Sequence, residues 1–402
     1  MALLAVAEAL ERVLAHAEPL QPEEVPLEQA TGCVLAYDLK ALRTQPPADV
    51  SAMDGYAVRA GDVASAPVRL QVIGEVAAGR PFGEKIAPGQ AARIFTGGFV
   101  PAGADTVVIQ EVTARHGEQV EIQKPSAKGR NVRVQGLDFR AGEILFHKGH
   151  RLTARDLALA AGMNHPLVPV YRRPRIALFA TGDELVPPGR EPGPGQIVYS
   201  NGFSLAALAR AEGAEVVDLG VVHDTLQATV TAIRDARGLP ADILVTTGGA
   251  SVGEYDLVQQ GFAKEGMDLS FWKVAMRPGR PLMHGRLGDM HVLGLPGNPV
   301  SSYVCAFLFL VPLIRRMSGR TDLVQRIEHA VLGCDLGEND ERADYLRATL
   351  EDDADAPVAT PFPVQDSSMM APLAKAGCLV IRAPHAAPAK AGSRCEILRL
   401  DR

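Results

Sequence analysis

The chain is 402 residues long, room for two to four domains at roughly 150 residues each. Its 47% apolar and 22% charged content is that of an ordinary folded soluble protein. With 41 basic against 47 acidic side chains the formal charge is −6, which gives no footing to non-specific binding of nucleic acid or an anionic membrane.

Val6, Leu10, Val13 and Leu14 keep helical spacing, so residues 1–14 read as an amphipathic helix. Without a basic leading stretch they do not read as a signal peptide. A Pro-rich turn is expected at 21–26, then a second apolar stretch to about residue 44. From about 46 to 138 the apolar runs become short and strand-like, at 68–73, 91–95, 106–109 and 119–122, with Gly and Pro between them. A compact β domain is expected there. A helix follows at 153–162, with Thr153 as N-cap and Asp156 three residues on. Residues 166–174, which begin and end in proline, read as a linker.

Beyond the linker, strands at 175–180, 215–222, 242–247 and 291–295 alternate with helices at 201–212, 224–237, 254–265 and 298–317. Such alternation implies βαβ units, hence a parallel sheet with helices on both faces. The apolar stretch at 300–314 is shorter than the roughly 18 residues of a membrane span and is expected to be a core helix. The last 80 or so residues return to strand-like runs, at 379–382 and 395–400, and predict a terminal β domain. Five scattered cysteines, with no C-x-x-C, argue for reduced thiols in a cytoplasmic setting rather than a disulfide framework.

Three Gly-rich turns, each after an apolar run, carry the chemistry. They read Ala-Thr-Gly-Asp-Glu-Leu-Val at 180–186, Thr-Gly-Gly-Ala-Ser-Val-Gly-Glu-Tyr-Asp at 247–256 and Gly-Leu-Pro-Gly-Asn-Pro at 294–299. Ligands of open α/β sheets bind just beyond such strand ends. Glycine lets backbone N–H groups approach an anion, and nearby carboxylates hold a hard cation. A phosphorylated ligand with a divalent metal is the chemistry this pattern suits. Asp256 would also be stabilised in the first turn of a helix with no function at all. Asn298 is a ready N-cap, and Pro299 suits a helix start. Lys273, Arg277 and Arg280 gather around a Pro-Gly turn, where arginine forks suit an oxyanion. His147 and His150 lack further ligands to make a metal site. There is no Walker A, H-E-x-x-H or helix-opening G-x-G-x-x-G motif, which removes the P-loop, zincin and dinucleotide dehydrogenase readings.

The ordered set resembles the molybdopterin molybdenumtransferase family, the MoeA proteins and the gephyrin E domain. The likeness rests on Ser-Ala-Met-Asp-Gly-Tyr-Ala at 51–57, Thr-Gly-Asp-Glu-Leu at 181–185, Gly-Gly-Ala-Ser-Val-Gly at 248–253 and Gly-Leu-Pro-Gly-Asn-Pro at 294–299. It implies a multidomain α/β fold: a helical linking domain (1–45 and 139–170), an inserted β domain (46–138), a doubly wound molybdopterin-binding α/β domain (171–318) and a C-terminal β-barrel (319–402). It implies a cytoplasmic enzyme that inserts molybdate into adenylylated molybdopterin with Mg²⁺, giving molybdenum cofactor and AMP. It also implies a homodimer whose site forms between subunits, supplied by a molybdopterin adenylyltransferase. Functional positions carry over to Asp54, Thr96, Asp138, Glu184, Asp224, Asp256, Lys273, Arg277, Pro296, Pro299 and a serine of Ser367 and Ser368.

Two stretches depart from the family pattern: its Lys-Pro-Gly-Lys is Arg277-Pro-Gly-Arg280 here, and its Gln-Gly-Ser-Gly-like stretch is Gln-Asp-Ser-Ser at 365–368. In the physical reading Gly248, Gly249, Ser251 and Gly253 hold a phosphate, with Thr181, Gly182, Gly297 and Asn298 in the same strand-end loops. Glu184 and Asp256 hold Mg²⁺, and Arg277, Arg280 and Ser301 hold molybdate. Adenylyl transfer to molybdopterin and a gephyrin-like scaffold without catalysis stand as the alternatives.

Overall fold

The computed structural model describes residues 3–80, 82–248, 257–353 and 356–400. Helix α1 (Val6–Leu14) buries Ala9 and Val13 in a core shared with the α/β domain rather than with the segments that follow it. Pro22–Pro26 and Leu167–Tyr171 form an antiparallel two-stranded ribbon, where a turn and a linker were expected. Val168 and Val170 point inward and are fully buried, while Pro169 faces Glu24. A proline can join a two-stranded ribbon when its missing N–H faces away from the partner, so Pro here did not mean a break. Helix α2 (Ala154–Gly162) starts as expected: the Asp156 carboxylate accepts from the Thr153 N–H and hydroxyl, both at 2.7 Å.

The inserted domain is a six-stranded sheet, a half-barrel. Across it run Thr106–Ile109, Gly55–Val58, Gln90–Ile94, Val68–Val76, Gln119–Ile122 and Thr113–His116. Small apolar clusters around Val58, Val120 and Ile122 on one side and Val76, Ile94 and Val107 on the other cover its faces.

The α/β domain carries the central sheet, ordered Glu215–Val222, Arg175–Thr181, Ile243–Thr247, Met290–Leu295, Met283–Leu287, Asp268–Phe271. The first four strands run parallel, and the last two complete an antiparallel edge. Runs such as Ile-Ala-Leu-Phe-Ala at 176–180, buried at every position, are what a sheet covered on both faces requires. Helices α3 (Asn201–Ala211), α4 (Leu226–Gly238) and α5 (Leu257–Lys264) pack on it. The helical stretch Pro299–Met317 is α6 (Pro299–Cys305), a π turn over Ala306–Leu310 and α7 (Val311–Met317). At 19 residues it is long enough to span a membrane, but 83% of its most apolar window is buried inside the protein, so it is a core helix.

Ile327–Leu332, Val358–Pro361, Ala343–Glu351, Cys378–Arg382 and Arg394–Arg399 close into a five-stranded barrel. The short helix α8 (Met370–Lys375) lies beside it. Tyr345, Leu379 and Leu398 of the barrel enter the same apolar core as the α/β sheet. Barrel and sheet therefore share an interior, and that fixes the cleft between them.

Candidate active site

A cavity of about 1000 Å³ opens where the barrel meets the C-terminal ends of the parallel strands, the place where ligands of open α/β sheets bind. Thr181 ends one strand, Gly248 follows the next, and Pro296-Gly-Asn-Pro follows the third. These loops touch. A Cβ on Gly248, whose φ is +88°, would lie 2.5 Å from the Thr181 carbonyl oxygen, so only glycine fits there. Asn201, at the start of α3, donates from Nδ2 to the Gly297 carbonyl at 2.7 Å and fixes the third loop.

One wall is acidic, formed by Glu184 and Asp224. Burial raises the Asp224 carboxyl above its ordinary range, and the charges of Glu184 and Asp183 push it the same way. Asp183 is shifted oppositely. Nδ1 of His223 lies 2.9 Å from its carboxylate and the Asp224 N–H donates to it at 3.3 Å, which hold its carboxyl low.

Another wall is cationic, with Arg277 and Arg280 from one loop and Arg342 from the barrel. Arg277 is engaged: Nε donates to Asp344 at 2.8 Å, Nη1 to Asp340 at 3.3 Å and Nη2 to Asn339 at 3.2 Å. Arg342 also pairs with Asp340. Among the described residues Arg280 alone of the three makes no ion pair.

The barrel also lends the loop carrying Ser367 and Ser368. Arg347, 1% exposed, supports it by donating to the carbonyls of Met369 and Asp366, both at 2.9 Å, and to Gln365 Oε1 at 3.3 Å. Asp366 accepts from the Ser368 hydroxyl at 2.6 Å. Asn298 was expected to cap α6 through its side chain. Instead its Nδ2 donates to Ser367 Oγ at 2.9 Å, while the Val300 N–H donates to the Ser367 carbonyl at 3.1 Å. The barrel loop has taken over the helix start.

Of the residues singled out in the sequence, Thr181, Glu184, Asp224, Gly248, Arg277, Arg280, Pro296, Gly297, Asn298, Pro299, Ser301, Ser367 and Ser368 line the cavity. Gly182 sits beneath the Glu184 carboxylate, which folds back to 2.6 Å from where its Cβ would be. Lys273 is not in the lining; its ammonium lies 5.2 Å from the Trp272 ring centroid. Gly249, Ser251, Gly253 and Asp256 lie outside the described residues. Among those described, no three His, Cys, Asp or Glu side chains converge as a metal site.

Asp54, Thr96 and Asp138 are not part of this chain's cavity lining. Asp54 Oδ1 accepts from the Thr96 N–H and hydroxyl, both at 2.8 Å, which holds its carboxyl low. Asp138 lines a separate groove of about 400 Å³ with Arg43 and Arg133. Asn201, Arg342, Arg347 and Asp366 were not singled out in the sequence. A polar residue opening a helix marks Asn201, but nothing local marks the three barrel residues.

Known family profiles match three successive stretches. Residues 4–163 match the MoeA N-terminal region (domain I and II), 177–316 a probable molybdopterin binding domain, and 329–400 the MoeA C-terminal region (domain IV). The chain belongs to the MoeA family. This MoeA-family chain is 42% identical over 304 residues to the molybdopterin molybdenumtransferase of Nostoc sp., covering 74% of this chain and 70% of that one. It is 36% identical over 389 residues to the enzyme of the same name from Bacillus subtilis, covering 94% and 89%. The crystal structure of a molybdopterin biosynthesis MoeA protein from Pyrococcus horikoshii superposes with a TM-score of 0.86 at 32% identity, over all of both chains.

Proposed function

We propose that this chain inserts molybdate into adenylylated molybdopterin, giving molybdenum cofactor and AMP. The observation that carries the reading is the divided cavity: Glu184 and Asp224 stand at the strand ends, and Arg280, which makes no ion pair among the described residues, stands on the cationic loop. A substrate with a cation-bound pyrophosphate at one end and a tetrahedral dianion at the other suits that division.

The acidic wall fits Mg²⁺, because Glu184 and Asp224 line it together and a divalent cation would offset the burial and the charges of Glu184 and Asp183 that raise the Asp224 carboxyl. Glu184 and Asp224 would hold it, with Asp256 joining as the resemblance implies. When bound, Mg²⁺ would neutralise charge on the pyrophosphate as AMP leaves. Thr181 and Gly248 would cradle the phosphates through N–H and hydroxyl donors, and the sequence pattern adds Gly249, Ser251 and Gly253, which lie outside the described residues. Arg280 and Ser301 hold molybdate beside the reacting sulfurs, and the Ser367–Ser368 loop closes the cavity over them. Water is thereby kept from the adenylate until the metal is in place.

Asp54, Thr96 and Asp138, outside this cavity, belong in our reading to the cavity of a second copy, so the working unit is a cytoplasmic homodimer. A molybdopterin adenylyltransferase supplies the substrate. The test is AMP release from adenylylated molybdopterin with Mg²⁺, with and without molybdate. Molybdate-dependent release with cofactor formed is expected. Consumption of ATP with plain molybdopterin would assign adenylyl transfer instead, and tight binding without turnover would leave a carrier or scaffold.

A further inference from the structure

Arg277 and Arg280 sit three residues apart on one loop, yet their surroundings differ. The short strand Met276–Arg277 leaves the α/β domain and pairs in parallel with the barrel strand Ala343–Glu351, Arg277 opposite Asp344. The Ala343 N–H donates to the Ala275 carbonyl at 2.9 Å, so backbone bonds hold the junction as well. Asp344 is 3% exposed and meets the Arg277 guanidinium on both carboxylate oxygens, a planar fork that arginine forms and lysine does not. Asp340 bonds Arg277 and Arg342 together.

Turning Arg277 towards a substrate would strip the buried Asp344 carboxylate of its partner, which is strongly unfavourable. Arg280 has no such tie among the described residues. Its carbonyl accepts from the Val274 N–H at 3.0 Å, closing the loop base, and Gly279 rests directly on the buried thiol of Cys305.

We infer that Arg277 and Asp344 are positioning residues: their ion pair anchors the loop to the barrel so that Arg280 alone aims a free guanidinium at the molybdate. The inference rests on the proposed molybdate insertion. It assigns Asp344 a role in the reaction without contact to substrate, and it removes Arg277 from the residues that hold the oxyanion.

The test is steady-state AMP release against molybdate concentration, beside molybdate binding by calorimetry, for wild type, Asp344→Asn, Arg277→Lys and the double variant. Thermal melts identify any variant that fails to fold. Loss of the anchor should raise the KM and Kd for molybdate about tenfold in either single variant, with kcat within about threefold of wild type. The double variant should be no worse than the worse single, because both break one pair. If Asp344→Asn leaves KM unchanged or lowers it while Arg277→Lys raises it, Arg277 is itself an oxyanion ligand and the inference fails. Additive effects overturn it too, and if Asp344→Asn is too unstable to assay, a wild-type KM in Arg277→Lys does the same. A wild type that neither binds molybdate nor releases AMP sinks the proposed function first, and this inference with it.

Discussion

Asp224 shows how the site works against the fold. Burial and the charges of Glu184 and Asp183 raise its carboxyl, so the native protein binds that proton more tightly than the unfolded chain. The stability from the bound proton is present below the ordinary carboxylate range and is lost as pH rises through the raised value. Asp224→Asn should therefore melt higher than wild type at pH 7, with the gap closing below about pH 4, and should release AMP more slowly. An unchanged melting point at pH 7 would refute this account. Glu184→Gln should abolish AMP release with the circular dichroism spectrum intact, and Mg²⁺ should raise the melting temperature of wild type but not of this variant. Full activity would remove Glu184 from the site. Gly248→Ala strikes the backbone instead: a left-handed φ and the close Thr181 carbonyl predict a loss of about 2 kcal/mol in denaturant titration. Glu184 and Gly248 were legible because each lies in a short loop directly after an apolar run. The hold of Asn201 on Gly297 was not, since the two residues are 96 apart.

At the scale of elements, the hairpin Met283–Leu287 and Met290–Leu295 holds a second pH-dependent feature. His284 and His291 are each 2% exposed, with ring nitrogens 3.5 Å apart. Burial pushes His284 down to about 3 and His291 to about 4. Both are neutral in the native protein, while in the unfolded chain they take protons below about pH 6.5. Their contribution is fully present above that value and declines as the pH falls through the window to 4. The loss is on the order of 1.4 kcal/mol per pH unit for each ring. Unfolding midpoints measured from pH 7 to pH 5 should fall steeply, and more gently in His291→Gln; parallel curves would contradict the assignment. The βα alternation around this hairpin could be read from the sequence because period and length are local properties. The Pro22–Pro26 and Leu167–Tyr171 ribbon could not, because proline signals a break unless its partner strand is known. Nor could the docking of the 365–369 loop on α6, which depends on how a closed barrel packs against a distant sheet.

For the whole molecule the open question is why Asp54 and Thr96 hold so defined a geometry away from the cavity. Asp54 accepts two hydrogen bonds from Thr96, an arrangement that orients a carboxylate without using up its other oxygen. The groove beside it at Asp138 carries Arg43 and Arg133, neither with an acidic partner among the described residues. Residues built in this way but absent from their own chain's cavity make sense if they complete the cavity of a second copy. In a two-fold assembly each subunit then gives its inserted domain to the other's α/β domain, and the two sites are equivalent. Mixing two inactive variants distinguishes this from a site made within one chain. Asp54→Asn and Glu184→Gln, each inactive alone, should after subunit exchange restore about a quarter of wild-type activity, because half the dimers are mixed and each of those has one intact site. Light scattering should give twice the mass of the 402-residue chain. No recovery from an exchanged mixture of folded dimers would place Asp54 outside the shared site and leave its pairing with Thr96 a matter of structure.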